Sequence, residues 1–113
     1  ELTDDESDAA GVARAIEHLE FLDAREMRSP AYALALAERY AKLGRMDEAW
    51  AKAMRARMIA PFDAATREQA ARVALLKGDL AAAEHELEAL AVLEPDREIH
   101  TRRLEAIRAK LAG

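Results

Sequence analysis

The chain has 113 residues, a formal charge of −5 and no cysteine. That length suits one domain, and the lack of cysteine excludes a disulfide framework or thiolate metal site. The acidic balance repels a phosphate backbone and no run approaches the roughly 20 apolar residues that span a bilayer, so neither nucleic acid nor membrane is an expected partner.

Alanine fills about a quarter of the positions, and Leu, Glu and Arg supply much of the rest. Such an inventory forms helices and leaves strands almost no material, so the fold class is all-α. Arg outnumbers Lys thirteen to four, which reads as a GC-rich bacterial coding bias. Glu1 to Asp8 is acidic and unlike an Arg-led signal. A start at Glu1 without Met suggests a piece of a longer protein. The compartment stays open between bacterial cytoplasm and periplasm, with the cytoplasm favoured.

In chain order, a first helix is expected from about Asp8 to Arg25, with Val12, Ala15, Leu19 and Leu22 on one stripe. Ser29 is an N-cap candidate with Pro30 in the first turn, and Tyr32, Leu36, Tyr40 and Leu43 carry the second helix to Gly44. Asp47 opens the third, which passes through Trp50, Ala53, Met54 and Ile59 to Pro61. Asp63 caps the fourth through Ala71, Ala74 and Leu75 to Gly78. Asp79 caps the fifth through Ala83, Leu87, Leu90 and Leu93 to Pro95. Asp96 is expected to cap a sixth bearing Ile99, Leu104, Ile107 and Leu111.

A shift of 34 residues superimposes Gly44 on Gly78, Ala49 on Ala83 and Pro61 on Pro95. Val12, Met46 and Leu80 share a column, as do Ala15, Ala49 and Ala83, then Leu19, Ala53 and Leu87, then Leu22, Ala56 and Leu90. Columns three or four residues apart make one helical stripe, so three helices are equivalent. Gly44 and Gly78 fall where a helix ends in a left-handed residue, and Ala49 and Ala83 let helix backbones approach. The core is expected around Tyr40, Trp50, Leu75 and Leu87, with Trp50 in inter-repeat packing.

These residues resemble the tetratricopeptide repeat (TPR) family, whose unit is a helix-turn-helix of about 34 residues. One unit shows Leu36-Ala37, Tyr40, Gly44, Ala49, Ala56 and Pro61; the next keeps Ala71, Gly78, Ala83 and Pro95. It departs from the pattern with Ala70, Ala74 and Arg67 where larger apolar residues are usual. The resemblance implies a right-handed α-solenoid in a single domain spanning 1–113. Residues 8–27 form a half repeat like a second helix, 30–63 and 64–95 two repeats, and 96–112 a capping helix.

Catalytic and metal chemistry lack a foothold. His18, His85 and His100 have no spacing that puts two ligands on one helical face, so zinc is not expected, nor any other cofactor. The carboxylate pairs Asp4-Asp5 and Glu86-Glu88 fall on stretches expected to be exposed, and Ser7 and Ser29 lack a nucleophile setting. The chain is not expected to be an enzyme.

The resemblance implies a peptide or protein partner, held on a concave groove lined by Leu34, Glu38, Lys42, Glu68, Gln69, Arg72, Leu76, Arg102 and Arg103. One subclass of the family grips a terminal carboxylate with Lys/Arg and Asn. This chain has no Asn, which disfavours that clamp, although Arg72, Arg102 and Arg103 suit an acidic segment. Two alternatives remain: a scaffold that self-associates through an unfinished apolar N-terminal helical edge, as in a homodimer, or a C-terminal accessory module of a larger bacterial enzyme such as a peptidase.

Overall fold

The computed structural model describes residues 4–113, with side chains from residue 9 onward. The side chains of the Asp4-Asp5 pair and of Ser7 lie outside the described residues. Six helices follow in order: α1 (Asp4–Asp23), α2 (Ala31–Lys42), α3 (Met46–Ile59), α4 (Ala64–Lys77), α5 (Leu80–Leu93) and α6 (Glu98–Ala112). No strand occurs among the described residues.

Each helix packs on its chain neighbour, and α2 also lies against α4. This is a TPR-like α-solenoid. Its radius of gyration of 15.8 Å exceeds the roughly 13 Å expected of a compact globule of this length. Stacking in one direction produces that extension.

Gly44 and Gly78 take positive φ, +77° and +79°. Both turns close alike: Arg45 N–H donates to the Tyr40 carbonyl and Asp79 N–H to the Ala74 carbonyl, each at 2.9 Å. The caps are less uniform. Asp63 accepts from the Ala65 N–H at 2.9 Å and Asp79 from the Ala82 N–H at 3.0 Å. Pro30 takes the N-cap position of α2, while Ser29 Oγ accepts from the Ala31 N–H at 3.2 Å. Helix α3 begins at Met46 without a side-chain cap, one residue before the expected Asp47. The expected Asp96 cap is also absent. Arg97 holds that position and caps nothing, because the period carries Asp63 onto residue 97 and not onto residue 96.

Two clusters form the core. One gathers Ile16, Leu36, Tyr40 and Val73 with Ala37, Ala49, Ala53 and Ala70. The other gathers Leu87, Leu90, Leu104 and Ile107 with Ala71, Ala74 and Ala83. Trp50 packs against both and joins the repeats. Leu75 is 38% exposed and does not belong to the core. Ala70, Ala71, Val73 and Ala74 occupy the buried arc of α4, and the next residue turns outward.

Buried charge is the feature absent from the expected core. Glu86, expected on an exposed stretch, is 1% exposed and held by Arg57 and by Arg67, whose Nη1 lies 3.0 Å from Oε2. Arg67 also donates to the Pro61 carbonyl at 3.0 Å, so the residue that broke the repeat pattern anchors a turn and neutralises a buried acid. Asp23 is fully buried and receives Lys52 at 2.8 Å and Arg55 at 3.0 Å.

Candidate binding surface

Helices α2, α4 and α6 are equivalent under the period, and their solvent-facing positions fall into rows. Leu34, Glu68 and Arg102 form one row, Glu38, Arg72 and Ala106 the next, and Lys42, Leu76 and Lys110 the third. All but Leu34, Glu38 and Glu68 are exposed, and those three are half-buried.

At the centre, Lys42 bridges Glu38 at 3.1 Å on α2. That hydrogen bond and the Lys42 charge, joined by the charges of Arg72 and Arg39, hold the Glu38 carboxyl below its ordinary range. An opening of about 200 Å³ lies on this stripe, lined by Ala35, Glu38, Arg39 and Lys42. Leu76 sits one turn beyond Arg72 and is 53% exposed.

The α6 end is organised differently. Arg103 reaches across to Glu68 at 2.8 Å. Arg102 pairs with Glu98 on its own helix at 3.1 Å. The three arginines assigned to an acidic segment are therefore not equivalent: two have acidic partners, while Arg72 has no ion pair among the described residues. Gln69 is half-buried, and its Nε2 has no hydrogen-bond partner.

Beneath Arg103, a cleft of about 480 Å³ opens between α4 and α6. The Cα traces of these helices stay more than 8 Å apart, and short Ala64 and Ala65 side chains leave the gap unfilled. Glu94, Arg97, Ile99 and His100 complete its lining. His100 is fully buried, with Nε2 2.7 Å from Glu94 Oε1; a carboxylate only accepts, so Nε2 carries the hydrogen.

Sequence reading missed His100 and Arg39. A signal existed for the histidine: one period earlier stands Thr66, also fully buried, whose single hydroxyl hydrogen is shared between the Ala60 and Asp63 carbonyls, both 2.8 Å from Oγ1. Both reach six residues back, Thr66 to the backbone carbonyl of Ala60 and His100 to the side-chain carboxylate of Glu94. Arg39 occupies the position of Val73, a core residue, and so did not read as a surface residue. His18 and His85 are exposed. No group of three metal-binding side chains and no helix long and apolar enough to cross a membrane occurs among the described residues.

No protein-family model matches the sequence, and no curated protein matches it. Solved structures do match over nearly its whole length. The crystal structure of PcrH in complex with the chaperone binding region of PopD superposes with a TM-score of 0.74, at 20% identity over 94% of this chain and 85% of that one. The Yersinia enterocolitica type III secretion translocator chaperone SycD superposes with a TM-score of 0.75, at 22% identity over 96% and 80%. Likeness at this identity carries the fold: an all-helical, TPR-like array.

Proposed function

We propose that this chain is a non-catalytic binding module that holds a peptide or protein segment on the concave surface of α2, α4 and α6. The repeats are 30–63 and 64–95, the half repeat 8–27 and the capping helix 96–112. One observation carries the reading. The solvent-facing rows on those three helices sit on a fold shared with PcrH, a protein seen in complex with the chaperone binding region of PopD. A chaperone-like role, holding a segment of a secreted or assembling partner, follows as the working form of that reading.

Selection of displayed twelve-residue peptides against the purified chain tests it. Selected peptides should bind the Arg14→Glu chain, altered on the exposed surface of α1, and lose about tenfold or more in affinity for Leu34→Glu or Leu76→Glu. Peptides indifferent to both groove changes would remove the concave surface from consideration.

Exposed apolar side chains away from the groove favour a second reading, self-association. Phe21 and Met27 are 56% and 72% exposed near the end of α1, and Met58, Phe62 and Val92 are more than 70% exposed at the ends of α3 and α5. Light scattering behind size exclusion separates the two: a dimer lost on Phe21→Ser supports the N-terminal edge, and a monomer at all concentrations removes it.

A further inference from the structure

We infer that the cleft between α4 and α6 receives a tyrosine of the bound segment, its ring against Ile99, Ala64 and Ala65 and its hydroxyl donating to Glu94. This rests on the peptide-binding reading above and names the side chain that anchors the peptide.

At about 480 Å³ the cleft falls within the roughly 300–1,000 Å³ of ligand pockets. Glu68, a member of the outward-facing rows, is part of its lining, so the cleft is continuous with that surface. Ile99 is 45% exposed and, with the short Ala64 and Ala65, supplies the apolar part of the lining. An aromatic ring covers such a wall and freezes only two torsions in doing so.

The charged part of the lining is balanced. Glu68 meets Arg103 at 2.8 Å and Glu94 meets Arg97 at 3.5 Å, two acids against two bases. A lysine entering the cleft faces two guanidinium groups and an acid faces two carboxylates, so a neutral side chain meets the least conflict. Glu94 nevertheless keeps an acceptor free. Its Oε1 takes the hydrogen bond from His100 Nε2 at 2.7 Å and the longer contact from Arg97, while Oε2 has no partner among the described residues. His100 is fully buried, so it positions this carboxylate without itself touching a ligand. A phenylalanine ring laid beside Glu94 strips water from Oε2 and offers nothing in return, whereas a tyrosine hydroxyl donates in that water's place.

N-acetyl-tyrosinamide and its phenylalanine and lysine counterparts, titrated to millimolar concentration against the intact chain, test the inference by nuclear magnetic resonance. The Ile99 methyl and the Ala64 and Ala65 amide resonances should shift with the tyrosine amide at about tenfold lower concentration than with the phenylalanine amide, and least with the lysine amide. Glu94→Gln should narrow the gap between tyrosine and phenylalanine, because a neutral acceptor is weaker than a charged one. Ala65→Leu, at an exposed position, fills the cleft and should abolish the shifts with circular dichroism unchanged. Equal shifts from the tyrosine and phenylalanine amides, or shifts that survive Ala65→Leu, would overturn the inference. No shift from any amide, while displayed peptides still depend on Leu34 and Leu76, would overturn it alone and keep the groove. Displayed peptides indifferent to Leu34 and Leu76 as well would overturn the groove reading with it.

Discussion

Arg57 meets the buried Glu86 one repeat period along from where Asp23 meets Lys52, with the charges exchanged. The shift from 23 to 57 equals that from 52 to 86. Both pairs link alternate helices, α1 to α3 and α3 to α5, whose Cα traces stay more than 8 Å apart. Long charged side chains span a distance that alanine-rich faces do not. The exchange also opposes mis-stacking: a slip by one repeat would bring Asp23 against Glu86, two carboxylates in a dry site.

Removing one member of such a group leaves a buried charge without its partner. Glu86→Ala is therefore expected to cost about 3 kcal/mol, because the Arg57 and Arg67 guanidinium groups lose their common anion. Glu88→Ala, two residues on, removes an exposed bridge to Arg108 and should cost under about 0.5 kcal/mol. Urea midpoints of the two variants test the contrast, and similar losses would show that burial does not separate these acids.

The helices were legible because their signals are local: period, glycine and proline. Gly44 and Gly78 sit one period apart and take the same positive φ. The buried ions were not legible, because Asp23 and Glu86 look like any acid on a charged helix until a partner 29 residues away is placed beside them. Leu75 failed for the opposite reason: a large apolar residue attracts a core assignment, but four small residues on α4 had already filled that arc. In the candidate surface, the rows follow from the period. The state of each arginine does not, since it depends on what the fold sets opposite: Glu68 for Arg103, and no ion-pair partner among the described residues for Arg72.

Tyr40 gives a pH-dependent signature. Its hydroxyl donates to Glu20 Oε2 at 2.6 Å, and burial together with that neighbouring carboxylate pushes the phenol up to about 12. Burial opposes ionisation of Glu20, but hydrogen bonds from Lys52 and Tyr40 outweigh it and lower the carboxyl. Stability from the raised phenol is complete below about pH 10 and lost as pH rises from there towards 12. Stability from the lowered carboxyl is present above about pH 4.5 and lost as pH falls through its folded value. Tyr40→Phe should remove part of the alkaline loss, leaving that of Lys52, whose raised ammonium titrates in the same direction. Absorbance titration of the Tyr32→Phe chain, where Tyr40 is the remaining phenol, reads the value directly; ionisation near pH 10 would contradict the buried hydrogen bond.

Two glycines should respond oppositely to alanine. Gly78 has open space around a Cβ but a φ of +79°, so Gly78→Ala is strained by backbone alone and should cost about 1 kcal/mol. Gly11 lies within α1 with nothing near a Cβ, and Gly11→Ala should gain about 0.5–1 kcal/mol where α1 contributes to the measured transition. Thermal melts of both variants decide, and a loss at Gly11 would argue against a helical backbone there.

The buried histidine sets how tightly the last helix is held. His100 fills a fully buried position at the start of α6 and ties it to the preceding turn through Glu94, as Thr66 ties α4 to its own turn. His100→Ala removes the ring and the bond and leaves space beside a cleft already open between α4 and α6, at an expected cost of about 2–3 kcal/mol. In an array where each unit contacts its neighbours, that loss should stay local. Hydrogen exchange should therefore rise in α6 and the end of α5 while α2 and α3 keep their protection. Uniform acceleration along the chain would mean that the array opens as one unit and that the histidine supports the whole stack.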